Sequence, residues 1–134
     1  NLAVIESEVQ VRTGGIFDPT NLERSLEGQA PYSLNLGLNY QPPSGVEAGV
    51  FFNRFGERIE AAGGSGVPDI LEQPRNGLDA TLGFPLPQGV RAKIKATNLL
   101  DEPYVFEQSA NGFTRVQREY SVGRTFSVGL SWEF

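Results

Sequence analysis

The chain has 134 residues, a net charge of −5, and neither histidine nor cysteine. Without those residues it cannot assemble a Ser-His-Asp or Cys-His enzyme, a disulfide framework or a thiolate metal site. The acidic balance argues against nucleic acid, which calls for a basic stripe, and no apolar run approaches the roughly 18 residues of a membrane-spanning helix. Strands are then the only elements that could cross a bilayer.

In chain order, residues 2–12 read as a first strand, where Val9 and Val11 alternate with Glu8, Gln10 and Arg12. The unbroken Ala3-Val4-Ile5 implies a bulge or a change of phase within it. Residues 13–30 read as a long polar connection, with a short helical turn near 19–26 that Asp18 could cap.

Residues 31–41 form a second strand with Tyr32, Leu34, Leu36, Leu38 and Tyr40 on one face and Ser33, Asn35, Gly37 and Asn39 on the other. The two tyrosines would stand roughly 27 Å apart along a strand at about 3.4 Å per residue. A tilt of about 40° shortens this to roughly 21 Å, close to the apolar band of about 25 Å between the aromatic girdles of a membrane barrel.

The Pro42-Pro-Ser-Gly45 turn leads to a third strand, 46–56, which carries Phe51 and Phe55 on the face opposite Val46, Ala48, Val50 and Phe52. Residues 57–74 form a second long loop, whose Gly63-Gly-Ser-Gly66 run is mobile unless something packs on it. A fourth strand, 76–84, and a fifth, 90–100, flank the short turn Pro85-Leu-Pro-Gln-Gly89. The fifth alternates Val90, Ala92, Ile94 and Ala96 with Arg91, Lys93, Lys95 and Thr97. Residues 101–119 make a third long loop with a turn at Asn111-Gly112. The sixth strand, 120–134, alternates large apolar with small or polar residues throughout, broken only by Arg124.

The connections therefore run long, short, long, short, long, as in outer-membrane barrels with extended outer loops and tight periplasmic turns. The expected fold is all-β: an antiparallel up-and-down meander of about six long strands, part of a larger transmembrane β-barrel. The smallest such barrels have about eight strands, so a longer polypeptide is expected, and the lack of an initiating Met and signal peptide points the same way. The alternative is a self-contained β-sandwich or small barrel with the oily face turned inward.

Four stretches resemble one known family. Tyr120-Ser-Val-Gly-Arg-Thr-Phe-Ser-Val-Gly-Leu130 is similar to the end of TonB-dependent outer-membrane receptors. Gly28-Gln-Ala-Pro-Tyr-Ser-Leu-Asn-Leu-Gly-Leu-Asn-Tyr40, Asn53-Arg-Phe-Gly-Glu-Arg-Ile59 and Asn98-Leu-Leu-Asp-Glu-Pro-Tyr104 fit the same family in the same order. The resemblance implies that residues 1–134 are the C-terminal barrel segment of such a receptor in the bacterial outer membrane, without its plug domain. It implies energy-coupled uptake of a scarce nutrient such as a metal chelate, a cobalamin or a glycan. Its partners would be the lipid bilayer, the barrel-assembly machinery and, through the upstream region, a TonB-type coupling protein. No cofactor and no enzymatic activity are expected.

Several residues stand out individually. Arg91, Lys93 and Lys95 on a membrane strand would look into the lumen, because facing lipid costs each roughly 2–4 kcal/mol near the midplane. Pairing with carboxylates such as Asp79 is the plainer role for them. Tyr32, Tyr40, Tyr120 and Trp132 read as interface anchors. Phe134 resembles the terminal aromatic signal of barrel assembly. Arg124 would snorkel at the outer interface or turn inward at a bulge. The acidic pairs Asp101-Glu102 and Asp69 with Glu72 match no calcium loop and read as solvated. A soluble domain that binds a protein or apolar ligand is the competing function. An isolated segment would hide its oily face by curling or by self-association.

Overall fold

The computed structural model describes residues 1–14 and 18–132. Within them the chain forms strands β1 Leu2–Val4, β2 Val9–Gln10, β3 Glu23–Arg24, β4 Tyr32–Tyr40, β5 Glu47–Phe55, β6 Arg58–Ala61, β7 Ile70–Glu72, β8 Arg75–Pro85, β9 Val90–Thr97, β10 Tyr104–Ala110, β11 Phe113–Tyr120 and β12 Thr125–Trp132. A single 3-10 turn at Pro87–Gly89 joins β8 to β9. The fold is all-β, and every strand pairing is antiparallel.

Six strands form one open main sheet in the order β1-β4-β5-β8-β9-β12. Between these strands the chain runs up and down, with tight turns at one end and long excursions at the other. Because side chains alternate across a strand, the register decides which residues share a face. One hydrogen-bonded row runs Leu38, Val50, Ala80, Ala96, Phe126; the next runs Tyr40, Ala48, Leu82, Ile94, Val128. Between them lies the row Asn39, Gly49, Thr81, Lys95, Ser127 on the opposite face. One face is thus apolar across the full width of the sheet and the other polar.

Among the described residues nothing covers the apolar face. Leu38 and Val128 are each 73% exposed and Phe126 is 67% exposed, whereas the buried apolar residues among those described are Ile59, Ala92 and Phe106. In a sandwich such rows would meet a second layer.

The long excursions are ordered into a crown. Residues 57–74 fold as the hairpin β6–β7 and residues 101–119 as β10–β11, and the two hairpins join in a four-stranded sheet of order β11-β10-β7-β6. The first excursion contributes the small β2–β3 sheet. It is tied to the second by the Pro19–Gly64 bridge, by Ser65 N–H donating to Asp18 O at 2.6 Å, and by Gly28 N–H donating to Ile59 O at 2.8 Å. The glycine-rich run at 63–66 is therefore held, because the first loop packs on it. Asp69, 9% exposed, gathers the Gly63 N–H, the Asn21 amide and Arg24. Glu72, 2% exposed, takes Arg58 at 2.6 Å.

Several expectations from the sequence are corrected at their ends. The expected strand 2–12 divides: β1 stays in the main sheet, but after Ile5 the chain leaves it, and Val9–Gln10 pairs with β3. The apolar run at residues 3–5 breaks the two-residue phase that one continuous strand would need. The turn expected near 19–26 is extended rather than helical, since β3 and the Pro19 bridge take its backbone groups. The expected strand 90–100 ends at Thr97, where Asn98 turns left-handed at φ 56°. The expected strand 120–134 is two elements: Tyr120 ends β11, Gly123 at φ 79° interrupts, and β12 begins at Thr125. Asn111 and Gly112, at φ 52° and 79°, make the expected hairpin turn.

The Arg58–Glu72 bridge is expected to hold the crown. Replacing Arg58 with Ala leaves a buried carboxylate without its cation, a loss of roughly 1–3 kcal/mol for a pair exposed on one side. Limited proteolysis should then cut residues 57–74 faster while the strands of the main sheet stay protected; unchanged cleavage would show that the bridge is dispensable.

Candidate functional site

The polar face begins with the alternation of β9. Arg91 donates to Glu47 Oε1 at 2.7 Å and to Gly45 O at 3.1 Å, with both partners of the ion pair half exposed. Asp79, the partner suggested by sequence, instead accepts the backbone N–H of Asn98 at 2.9 Å. Lys93 lies in register between Gly83 and Gly129, and Lys95 between Thr81 and Ser127. Their neighbours are small, so both ammonium groups stand clear of the sheet, and both residues are exposed. Phe51, also on this face, lies over Gly37, where a Cβ would meet its ring at 3.2 Å.

The aromatic residues separate into two groups. Tyr32 and Tyr40 sit at opposite ends of β4 on the apolar face, and Trp132 ends β12 at the tight-turn end shared with Tyr40. The Tyr32 hydroxyl accepts from Arg54 Nε at 3.1 Å, so the crown end of the apolar face turns polar at this level. Tyr120 belongs elsewhere. It stacks on Tyr104 at 4.9 Å within the crown, beside Phe106, over which the Arg118 guanidinium lies at 3.9 Å. Phe134 lies outside the described residues.

The turn at residues 98–101 locks the crown end of the sheet. Asn98 Nδ2 donates to Gly123 O at 2.7 Å, Arg124 Nε to Leu99 O at 2.9 Å, and the Leu99 N–H to Leu78 O at 2.8 Å. Glu102 accepts the Asn76 N–H at 2.7 Å. Arg124 thus bridges the start of β12 to this turn. One short segment ties β8, β9 and β12 together. Asn suits it because its side chain bonds locally and it tolerates positive φ better than other residues.

Below this turn the polar face opens into a hollow of about 200 Å3, lined by Asn53, Arg75, Gly77, Asp79, Thr97, Asn98, Tyr104 and Val122. Gly77 leaves room for the Asn53 amide, which packs where a Cβ would stand. Arg75 lies 4.0 Å above the Tyr104 ring and donates to its hydroxyl at 2.8 Å. Two buried polar atoms, Arg75 Nε and Asn98 Oδ1, lack a partner among the described residues, and both belong to residues lining the hollow. Sequence reading passed over this group because Asn53, Gly77 and Thr97 look like ordinary small or polar positions of a strand. The available signal was the Asn98-Leu-Leu-Asp-Glu-Pro-Tyr104 stretch, which supplies Asn98 and Tyr104.

The acidic pairs are engaged by the chain itself: Asp69 and Glu72 as described, and Glu102 at the Asn76 N–H. Among the described residues no group of three or more carboxylates, His or Cys could hold a metal ion, and no helix is long and apolar enough to cross a membrane. Comparison with protein-family models, with curated proteins and with solved structures found no match.

Replacing Asn98 with Ala is expected to cost roughly 1–3 kcal/mol, from the lost bond to Gly123 and the strained φ of an alanine there. Hydrogen exchange should quicken at residues 98–102 and 122–125 before it changes at the tight-turn end. A uniform change along β9 and β12 would show that the turn is not a separate clasp.

Proposed function

We propose that this chain forms part of the wall of an outer-membrane β-barrel, with its apolar face against lipid and its polar face toward an aqueous lumen. The observation that carries the reading is the continuous apolar surface of six paired strands, uncovered among the described residues. In water such a surface would exceed by far the few hundred Å2 that monomers ordinarily expose. In a bilayer it is the expected surface, since the strands pair side by side and the side chains behind it, Phe51 and Phe55 apart, are mostly small or polar. The two edge strands, β1 and β12, would pair with further strands of the same barrel. Crown and hollow would then face outward and inward, where a solute is captured. The family resemblance of the sequence extends this reading to a TonB-dependent receptor that imports a scarce nutrient, with barrel-assembly and TonB-type coupling proteins as partners.

Two variants on opposite faces of the main sheet test the assignment of faces. Leu36→Arg puts a cation into the apolar face and is expected to lower folding stability in phospholipid vesicles by roughly 2–4 kcal/mol. Ser127→Arg puts it into the polar face and should fold nearly as the parent does. Trp132 fluorescence should be quenched by lipids brominated near the headgroup more than by those brominated at the chain end. A soluble, monodisperse protein in buffer, with Trp132 unaffected by brominated lipid, would instead favour the soluble ligand-binding domain.

A further inference from the structure

We infer that the hollow beneath the turn at residues 98–101 is a binding subsite for a neutral polyhydroxylated ring, a single sugar unit of a larger solute. The inference rests on the polar face being the side a solute reaches, as proposed above, and names what that side would recognise.

The argument starts from the groups that remain available. Asp79 uses Oδ1 for the Asn98 N–H, which leaves its second oxygen as an acceptor. The Asn53 amide and the Thr97 hydroxyl are not drawn into hydrogen bonds among the described residues. Together they offer donors and acceptors side by side on adjacent strands, Asn53 opposite Gly77 on β8 and Asp79 one strand from β9. A hydroxyl group is both donor and acceptor, so neighbouring hydroxyls on a ring match such a mixed set.

Charge narrows the class. The lining carries one cation, Arg75, and one anion, Asp79, with every other lining residue neutral. Arg75 is turned onto Tyr104 by its stacking and its bond to the hydroxyl. The two charges balance, so an anionic ligand has the Asp79 carboxylate against it and a cationic one the Arg75 guanidinium. A neutral ligand meets neither penalty. Two lining residues also keep a buried polar atom without a partner among the described residues, Arg75 Nε as a donor and Asn98 Oδ1 as an acceptor.

Size sets the extent. About 200 Å3 falls below the roughly 300–1,000 Å3 of pockets that enclose drug-sized ligands. It suits one ring, with the remainder of the solute lying along the polar face.

The test uses the protein folded in detergent micelles, with methyl α-glucoside, methyl α-mannoside and methyl β-galactoside as probes and glucuronate and citrate as charged comparators. Saturation-transfer NMR should show at least one neutral glycoside bound. Asn53→Ala and Thr97→Val should each weaken that binding about three- to tenfold, the loss of one neutral hydrogen bond. Lys95→Ala, outside the hollow, should leave it unchanged. Binding of glucuronate or citrate as tightly as the glycosides, no glycoside binding by protein of parental thermal stability, or binding indifferent to both substitutions would each overturn the assignment. Because this readout does not involve lipid, its failure leaves the Trp132 quenching result standing, and failure of the quenching result leaves this one interpretable.

Discussion

Everything in this molecule depends on the register of one antiparallel ladder. Six strands are aligned so that Leu38, Val50, Ala80, Ala96 and Phe126 fall in one row and Asn39, Gly49, Thr81, Lys95 and Ser127 in the next. A slip of one residue at any strand would put leucines and phenylalanines among lysines and asparagines. The register therefore sets a sheet with one apolar face and one polar face. The apolar face has no protein partner among the described residues, which is why a bilayer is the proposed solvent.

A second constraint acts at the end of the sheet. Three long excursions would have many unpaired backbone groups if each stood alone. They pair with one another instead: β7 with β10, Pro19 with Gly64, and Gln108 with the carbonyl of Pro68. Buried carboxylates hold the junctions, Asp69 between the first and second excursions and Glu72 inside the β6–β7 hairpin. The arginine and aromatic stack of Arg75, Tyr104, Tyr120, Phe106 and Arg118 then runs from the main sheet into the crown. The loops are accordingly an ordered, shaped surface joined to the end of the main sheet.

Much of this was legible in the residues. Alternation located the long strands of the main sheet within a residue or two where it was clean, as in Tyr32–Tyr40 and Glu47–Phe55. It also assigned their two faces, and prolines and glycines marked the tight turns. Reading failed where alternation continued across a change of sheet. Tyr120 keeps the phase of Val122 and Phe126, so the sequence looks like one strand, yet Gly123 and the bond from Asn98 separate them. Local pattern records which side a residue takes, and not which neighbour it pairs with. For the same reason the hairpins in the loops were missed: their strands are short, charged and stabilised by each other. The hollow was missed because its members come from β5, β8, β9, β10 and two connections, and a glycine marks it only by what is absent.

By itself, then, the sequence determined the all-β class, the up-and-down order of the main sheet, the polarity of its faces and the exclusion of His- or Cys-based chemistry. Each of these follows from composition or from a period of two, properties that a single strand already carries. Tertiary structure alone decided which carboxylate meets Arg91, where the last strand starts, that the loops form a crown, and that Asn53, Asp79 and Thr97 surround one hollow. Those outcomes depend on contacts between residues far apart in the chain, and such contacts are chosen by packing and by competition for hydrogen bonds once the strands have met.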